Sequence, residues 1–220
     1  MIKACIFDMD GTTVNTINSI AYFANNALKK AGLPAIETDT YKVMVGNGAK
    51  VLVERMIKNV GADEKYFDEV SREYNTTYDN DFLYLTEPYE GILDMLKALK
   101  DMGVKVTILS NKPHATAVKV SDALFSDNLV DICYGAREGI ALKPDPAGVF
   151  EIMNELGVKA EVCVYIGDTS TDMKTGKGAN LYTVGVLWGF RDRQELESSG
   201  ADAIISHPSE LIDIVNRLNS

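Results

Sequence analysis

The chain has 220 residues, 46% of them hydrophobic and 25% charged, with only 6 Pro and 17 Gly. A chain of this size buries roughly 70% of the surface its unfolded form exposes, so it holds a core without disulfides or a structural metal. The formal net charge is −10 with no Lys/Arg cluster, which excludes the basic surface that nucleic-acid binding needs, and no apolar run approaches the ~20 residues that cross a bilayer.

The first apolar stretch, residues 3–8, reads as a strand that runs into Asp8 rather than as a secretory signal. Residues 15–86 then break the expected rhythm. They show helical periodicity at 16–31, 48–60 and 63–80, with Gly32 and Gly61 as stops, and no strand of their own. A crossover between parallel strands needs only a dozen or more residues. So long a helical stretch reads as an inserted cap domain at 15–86, leaving 1–14 and 87–220 as the core; one oversized helical layer on the same sheet is the alternative.

From there strands at 104–109, 130–134, 162–166, 182–187 and 203–205 alternate with helices near 89–102, 114–125, 146–156, 170–179, 192–199 and 208–218. That alternation predicts an α/β fold with a doubly wound parallel sheet. Gly103, Gly157, Gly200 and Asn180 are placed to end helices in the left-handed conformation. Cys5, Cys133 and Cys163 lie in apolar runs without metal-ligand spacing. They read as small core residues in a reducing, cytoplasmic setting.

The polar residues collect at the carboxyl ends of the strands. The first ends in Asp8-Met9-Asp10-Gly11-Thr12, the second in Ser110-Asn111-Lys112, and the fourth in Gly167-Asp168-Thr169-Ser170-Thr171-Asp172. A strand order 3-2-1-4-5 brings these ends together at a topological switch point, where such sheets bind ligands. Lys143-Pro144, after the third strand, can reach the same crevice. Asp8, Asp10, Asp168 and Asp172 would repel one another at neutral pH, which a hard divalent cation on oxygen ligands relieves; Mg²⁺ is the expectation. Ser110, Lys143 and the Gly11 and Thr12 amides remain to hold an anion, and carboxylates for a metal beside donors for an anion suit phosphoryl transfer. The chain has no GxxxxGK[ST] loop and no GxSxG elbow, and His114 and His207 lack partners at zinc-ligand spacing. A carboxylate nucleophile is the remaining route.

Phe7-Asp8-Met9-Asp10-Gly11-Thr12 resembles the DxDGT signature of the haloacid dehalogenase superfamily. Leu109-Ser110-Asn111-Lys112, Lys143-Pro144-Asp145-Pro146 and Gly167-Asp168-Thr169 through Asp172 look like its second, third and fourth motifs. The helical insert is similar to its C1-type cap. The resemblance implies a nucleophile at Asp8, and at Asp10 a general acid and base. It implies Mg²⁺ on Asp8, the Asp10 carbonyl and Asp168, with Asp172 positioning the metal's waters. Ser110 and Lys143 would grip the phosphoryl group, helped by the Gly11 and Thr12 amides, with Asn111 nearer the leaving group.

Val45-Gly46-Asn47-Gly48-Ala49 and Leu187-Trp188-Gly189-Phe190-Arg191 resemble phosphoglycolate phosphatases, as does Arg137-Glu138-Gly139-Ile140 before Lys143. Thr13 and Asn15 depart from the pattern, where Leu and Asp are usual. The activity so implied is hydrolysis of a small phosphorylated metabolite, 2-phosphoglycolate first, through an aspartyl phosphate, by a monomer or homodimer. A pyrophosphatase, a sugar-phosphate phosphatase or a phosphomutase on the same scaffold is the alternative. A Gly46-Asn47-Gly48 turn opening the helix at 48–60, with Lys50, offers a site for a leaving-group carboxylate; the same three residues also read as a plain turn. Thr13 would sit at the mouth or face solvent, and Trp188 would either touch substrate or be a core or rim aromatic with no substrate role. Arg191 reads as a solvated helix start, and Asp127, Asp131 and the acidic residues at 63–73 as solvated faces.

Overall fold

The computed structural model describes residues 1–125 and 128–220; Asp127 lies outside them. In chain order the elements are β1 (Ala4–Phe7), β2 (Val14–Asn15), α1 (Ile17–Lys30), α2 (Thr38–Tyr41), α3 (Ala49–Asn59), α4 (Phe67–Asn80), β3 (Glu87–Pro88), α5 (Ile92–Asp101), β4 (Lys105–Pro113) and α6 (His114–Leu124). There follow β5 (Ile132–Ala136), α7 (Ala147–Leu156), β6 (Cys163–Gly167), α8 (Ser170–Gly178), β7 (Tyr182–Val186), α9 (Arg193–Ser198), β8 (Ala203–Ile205) and α10 (Glu210–Leu218).

Six strands form one parallel sheet in the order β5-β4-β1-β6-β7-β8. Numbered along the chain, these core strands run 3-2-1-4-5-6, the expected order with a sixth strand added. β1 and β6 are buried along their whole length, as strands covered on both faces must be. The period of two divides their side chains between the faces. Cys5, Phe7, Val106 and Ile108 pack with Leu96 and Leu99 of α5. Ala4, Ile6 and Tyr165 pack on the other face with Val149 and Ile152 of α7.

Helices α1 to α4 build a separate apolar cluster. Ile20, Ala24, Ala27 and Leu28 of α1 meet Leu52, Val53, Met56 and Ile57 of α3 and Val70, Tyr74 and Tyr78 of α4. The spacing on each helix is that of one buried stripe. Phe190, from beyond β7, joins this cluster. The chain enters and leaves the helical part through a short antiparallel ribbon in which Val14 pairs with Pro88 and Asn15 with Glu87. Two residues per strand are too few to show alternation, so sequence periodicity does not register the ribbon.

Two further differences follow from local chemistry. β4 continues to Pro113, past the expected end at residue 109, because its polar residues are buried with partners and the ladder need not stop where hydrophobicity does. A single 3₁₀ turn at Glu64–Tyr66, capped by the Asp63 carboxylate, precedes α4 and delays its start. Among the described residues no helix is long and apolar enough to cross a membrane.

Candidate active site

The carboxyl ends of β1, β4 and β6 converge as the topology requires. Asp8 follows β1, Asp168 follows β6, and Asp172 lies in the first turn of α8. Thr169 caps α8 in a capping box. Its hydroxyl accepts from the Asp172 amide, while Asp172 Oδ2 accepts from the Thr169 amide at 3.1 Å and its hydroxyl at 2.6 Å. Two glycines let these carboxylates approach. A Cβ on Gly167 would lie 2.2 Å from that of Asp172, and one on Gly11, where φ is +87°, would lie 2.3 Å from Asp168 Oδ2.

Lys143 Nζ reaches Asp8 Oδ1 at 2.8 Å and Asp172 Oδ1 at 2.7 Å. Asp8 Oδ1 also accepts from the Met9 amide at 2.6 Å. Asp168 is held by the Thr12 hydroxyl at 3.0 Å and the Phe190 amide at 2.8 Å. Burial, reinforced by Asp172, pushes the Asp8 carboxyl well above the ordinary range despite Lys143. Burial and the Asp172 charge likewise raise Asp168 to about 7, against the Phe190 and Thr12 hydrogen bonds. For Lys143 burial acts to lower the pKa, but Asp172 and Asp8 outweigh it and hold the ammonium protonated.

Asp8, Asp168 and Asp172 offer ligand atoms within 4.8 Å of one another. With all three carboxyls ionised, the one Lys143 ammonium would leave two negative charges in a buried volume, the crowding that raises Asp8 and Asp168. An all-oxygen donor set with that deficit fits a divalent cation. Asp172 spends Oδ1 on Lys143 and Oδ2 on Thr169, and Asp168 spends Oδ1 on Thr12 and Oδ2 on Phe190, whereas both donors to Asp8 share its Oδ1, so Asp8 is the freest ligand.

Beside this centre a cleft opens between the sheet and the helical part, walled by Asp8, Asp10, Ser110 and Lys112 on one side and by Val45, Gly46, Gly48, Ala49, Tyr74 and Tyr78 on the other. Its free space is about 50 Å³. Asp10 Oδ2 pairs with Lys112 Nζ at 3.0 Å, and Asp10 Oδ1 is buried without a partner among the described residues. Lys112 Nζ also donates to the Tyr78 hydroxyl at 3.0 Å. Burial works against its charge, but Asp10 with Tyr78 and Tyr74 overcomes this and raises its pKa. Sequence reasoning missed the Lys112–Tyr78 contact, because a tyrosine on an apolar helical stripe reads as core.

Several expected contacts are spent elsewhere. The Gly11 amide donates to the Val14 carbonyl and the Thr12 amide to that of Met9, so both serve the turn and neither is free for an anion. Asn111 Nδ2 donates to the carbonyls of Gly46 and Lys143, and its Oδ1 accepts from the Lys143 amide. Asn111 therefore ties the turn at 46–48 to the Lys143 loop, with no amide hydrogen left for a leaving group. Asn47 turns from the cleft to accept from Arg55, and its Nδ2 lies 3.4 Å from Thr171 Oγ1.

Lys50 has a side chain 79% exposed and faces Glu54, one turn on. Ala49 and Leu52 hold the cleft face of α3, and at ~100° per residue position 50 points away from it. Thr13 is fully buried, its hydroxyl donating to the Asp8 carbonyl at 3.1 Å. Arg191 is not solvated; it donates to the carbonyls of Lys42 and Val45 and pairs with Glu195. Trp188 donates to the Thr12 carbonyl at 2.8 Å. Asp131 is no solvated face either, since Lys100, Lys105 and the Val106 amide all donate to it.

Known proteins share this architecture. The family model of haloacid dehalogenase-like hydrolases matches residues 5–186. A phosphoglycolate phosphatase of Colwellia psychrerythraea is 30% identical over 220 residues, covering 98% of this chain and 97% of its own. An N-acetylmuramic acid 6-phosphate phosphatase of Pseudomonas aeruginosa is 27% identical, covering 98% and 96%. The crystal structure of a predicted phosphoglycolate phosphatase from Haemophilus somnus superposes with a TM-score of 0.90 at 26% identity, over 97% of each chain. With the family model spanning the sheet from β1 to β7 and the helical part between, the chain belongs to the haloacid dehalogenase-like hydrolases.

Proposed function

We propose that the protein is a Mg²⁺-dependent phosphatase that hydrolyses a small phosphomonoester, 2-phosphoglycolate first, through a phosphoaspartate on Asp8. The observation that carries this reading is one cleft holding a buried carboxylate with one oxygen pinned, Asp8, and a second with one oxygen unpartnered, Asp10. Met9 and Lys143 occupy Asp8 Oδ1, leaving Oδ2 to attack phosphorus in line. As the ester P–O bond breaks, the leaving alkoxide takes a proton from Asp10 Oδ1. Water then attacks phosphorus, Asp10 takes its proton, and the bond to Asp8 breaks to restore the carboxylate.

Lys143 has three N–H donors and spends two on Asp8 and Asp172, leaving one for a phosphoryl oxygen beside Ser110. Asp172 sets the position of that ammonium. Asp8, Asp168 and the Asp10 backbone carbonyl would hold Mg²⁺, whose charge offsets both the carboxylates and the phosphoryl oxygens.

The size of the cleft supports a short leaving group. At ~10–15 Å³ for each water, the 50 Å³ of free space corresponds to about four waters. Glycolate suits such a space, and a hexose needs the walls to part. The relative named for N-acetylmuramic acid 6-phosphate favours a second reading, a sugar-phosphate phosphatase working from a more open form.

Phosphate release from a panel of esters tests both. We expect 2-phosphoglycolate to exceed glucose 6-phosphate in kcat/KM by at least about tenfold, or about 1.4 kcal/mol of transition-state binding. EDTA should abolish turnover, Mg²⁺ restore it, and Ca²⁺ inhibit, since Ca²⁺ takes a looser and higher coordination. Full activity in excess EDTA would overturn the metal site, and a lead by N-acetylmuramic acid 6-phosphate or pyrophosphate would overturn the substrate.

A further inference from the structure

Lys112 is the only cation among the described residues that wall the cleft, which otherwise carries the acidic Asp8, Asp10 and Asp79. Its side chain is 6% exposed, far too buried for a solvating lysine. An ammonium has three donors in fixed tetrahedral directions. Here two are used, one on Asp10 Oδ2 and one on the Tyr78 hydroxyl, each at 3.0 Å. The Tyr78 ring also lies under the charge, 4.6 Å from Nζ to its centre, which favours a fixed cation. Asp79 is on the same wall but turns Oδ1 to the Thr116 hydroxyl at 2.6 Å. An anionic group on the leaving side therefore finds one partner in the cleft.

We propose that Lys112 sets substrate specificity by binding a carboxylate carried on the leaving group, with Tyr78 holding the ammonium in place. This rests on the phosphatase reading and adds to it the residue that selects the substrate. The phosphoryl group lies toward Asp8, Ser110 and Lys143, and the leaving oxygen toward Asp10. Because Asp10 is itself bonded to Lys112, a carboxylate one carbon beyond that oxygen comes within reach of the third donor. A longer acid would carry its charge past Lys112 toward Tyr74 and α4.

Binding separates this inference from turnover. 3-Phosphonopropionate replaces the ester oxygen of 2-phosphoglycolate with CH₂ and is not hydrolysed, and propylphosphonate keeps the phosphonate but ends in CH₃ in place of the carboxylate. Calorimetry with Mg²⁺ should show the wild-type protein binding the carboxylate at least about tenfold more tightly. Lys112→Met should erase that ratio while propylphosphonate still binds, which also reports an intact fold, and Lys112→Arg should keep most of it. Loss of Lys112 leaves Asp10 unpaired, and its repulsion could mimic the effect, so the pair is repeated on Asp10→Asn. The preference should persist in Asp10→Asn and vanish in the double variant. Equal binding of the two ligands by the wild type would overturn the proposal, as would a preference that survives Lys112→Met in either background. Failure to release phosphate from any ester would instead remove the phosphatase reading and leave the binding ratio to judge Lys112 by itself.

Discussion

Asp8 stands where burial, Asp168 and Asp172 all disfavour its charge, with Lys143 the opposing influence. A group so placed is costly to the fold, which supports the proposed catalytic role of Asp8. Asp8→Asn keeps the shape and removes the attacking charge, so turnover should fall by several orders of magnitude. Thermal melting in EDTA should not fall, because one of three crowded carboxylates has gone; with Mg²⁺ the variant should gain less than the wild type. In H₂¹⁸O under a single turnover the wild-type Asp8 carboxylate should acquire label, and label confined to released phosphate would exclude the covalent route. Asp8, Asp10, Ser110, Lys143, Asp168 and Asp172 were legible as a group because strand-end position and polarity coincide in them, and they lie together in the structure. The uses of Asn111 and Lys112 were not legible. Their polar atoms are claimed by Gly46 and Tyr78, far away in sequence, and no local pattern encodes such a partner.

At the scale of elements, the strands were legible through continuous apolar runs, and the helix ends through Gly103, Gly157, Gly200 and Asn180, all of which adopt positive φ. Orientation was harder. Lys50 opens α3 in the sequence beside two glycines, yet the face that α3 gives the cleft is decided by where Leu52, Val53, Met56 and Ile57 dock. Asp131 was misread for a related reason, as a single acidic residue at a strand entry resembles any surface carboxylate. It joins α5 through Lys100 at 2.7 Å to β4 through Lys105 at 2.8 Å and the Val106 amide at 2.9 Å. Burial acts to raise its pKa, but the two ammoniums and the amide prevail and hold it below the usual range. A carboxyl whose folded pKa lies below its unfolded value of ~3.9 contributes stability that is complete above that value and lost as pH falls through the folded one. Asp131→Asn should therefore cost about 1–3 kcal/mol in urea unfolding at pH 7. The gap from the wild type should close as pH drops below about 4. A gap independent of pH would show that shape, not charge, holds the junction.

At the scale of the whole molecule, the helical part and the sheet have their own apolar clusters, bridged by Phe190 and Phe82, and are joined by the ribbon of β2 and β3. The ties across the cleft are mostly polar: Asn111 to Gly46, Lys112 to Tyr78, and Arg191 to Lys42 and Val45. A few hydrogen bonds worth about 0.5–1.5 kcal/mol each can be exchanged for water, whereas a shared core cannot. The free space in the cleft is small, about 50 Å³, with Val45, Gly46, Tyr74 and Tyr78 of the helical part close over Asp8 and Asp10. We therefore propose that residues 15–86 move as a cap about hinges at 13–16 and 84–88, and that the structure represents the closed form. Closure would exclude water while Asp8 attacks and bring Tyr78 onto Lys112. Small-angle scattering should give a larger radius of gyration for the free protein than for its complex with Mg²⁺ and 3-phosphonopropionate. Arg191→Ala cuts two of the ties and removes no hydrogen bond to Asp8, Asp168 or Asp172, although its charge also favours the Asp168 carboxylate, so it should expand the free protein further and raise KM more than it lowers kcat. An identical envelope in all three states, with unchanged hydrogen exchange at Val14–Asn15 and Glu87–Pro88, would make the helices a fixed layer on the sheet, and entry would then have to come from side-chain motion alone.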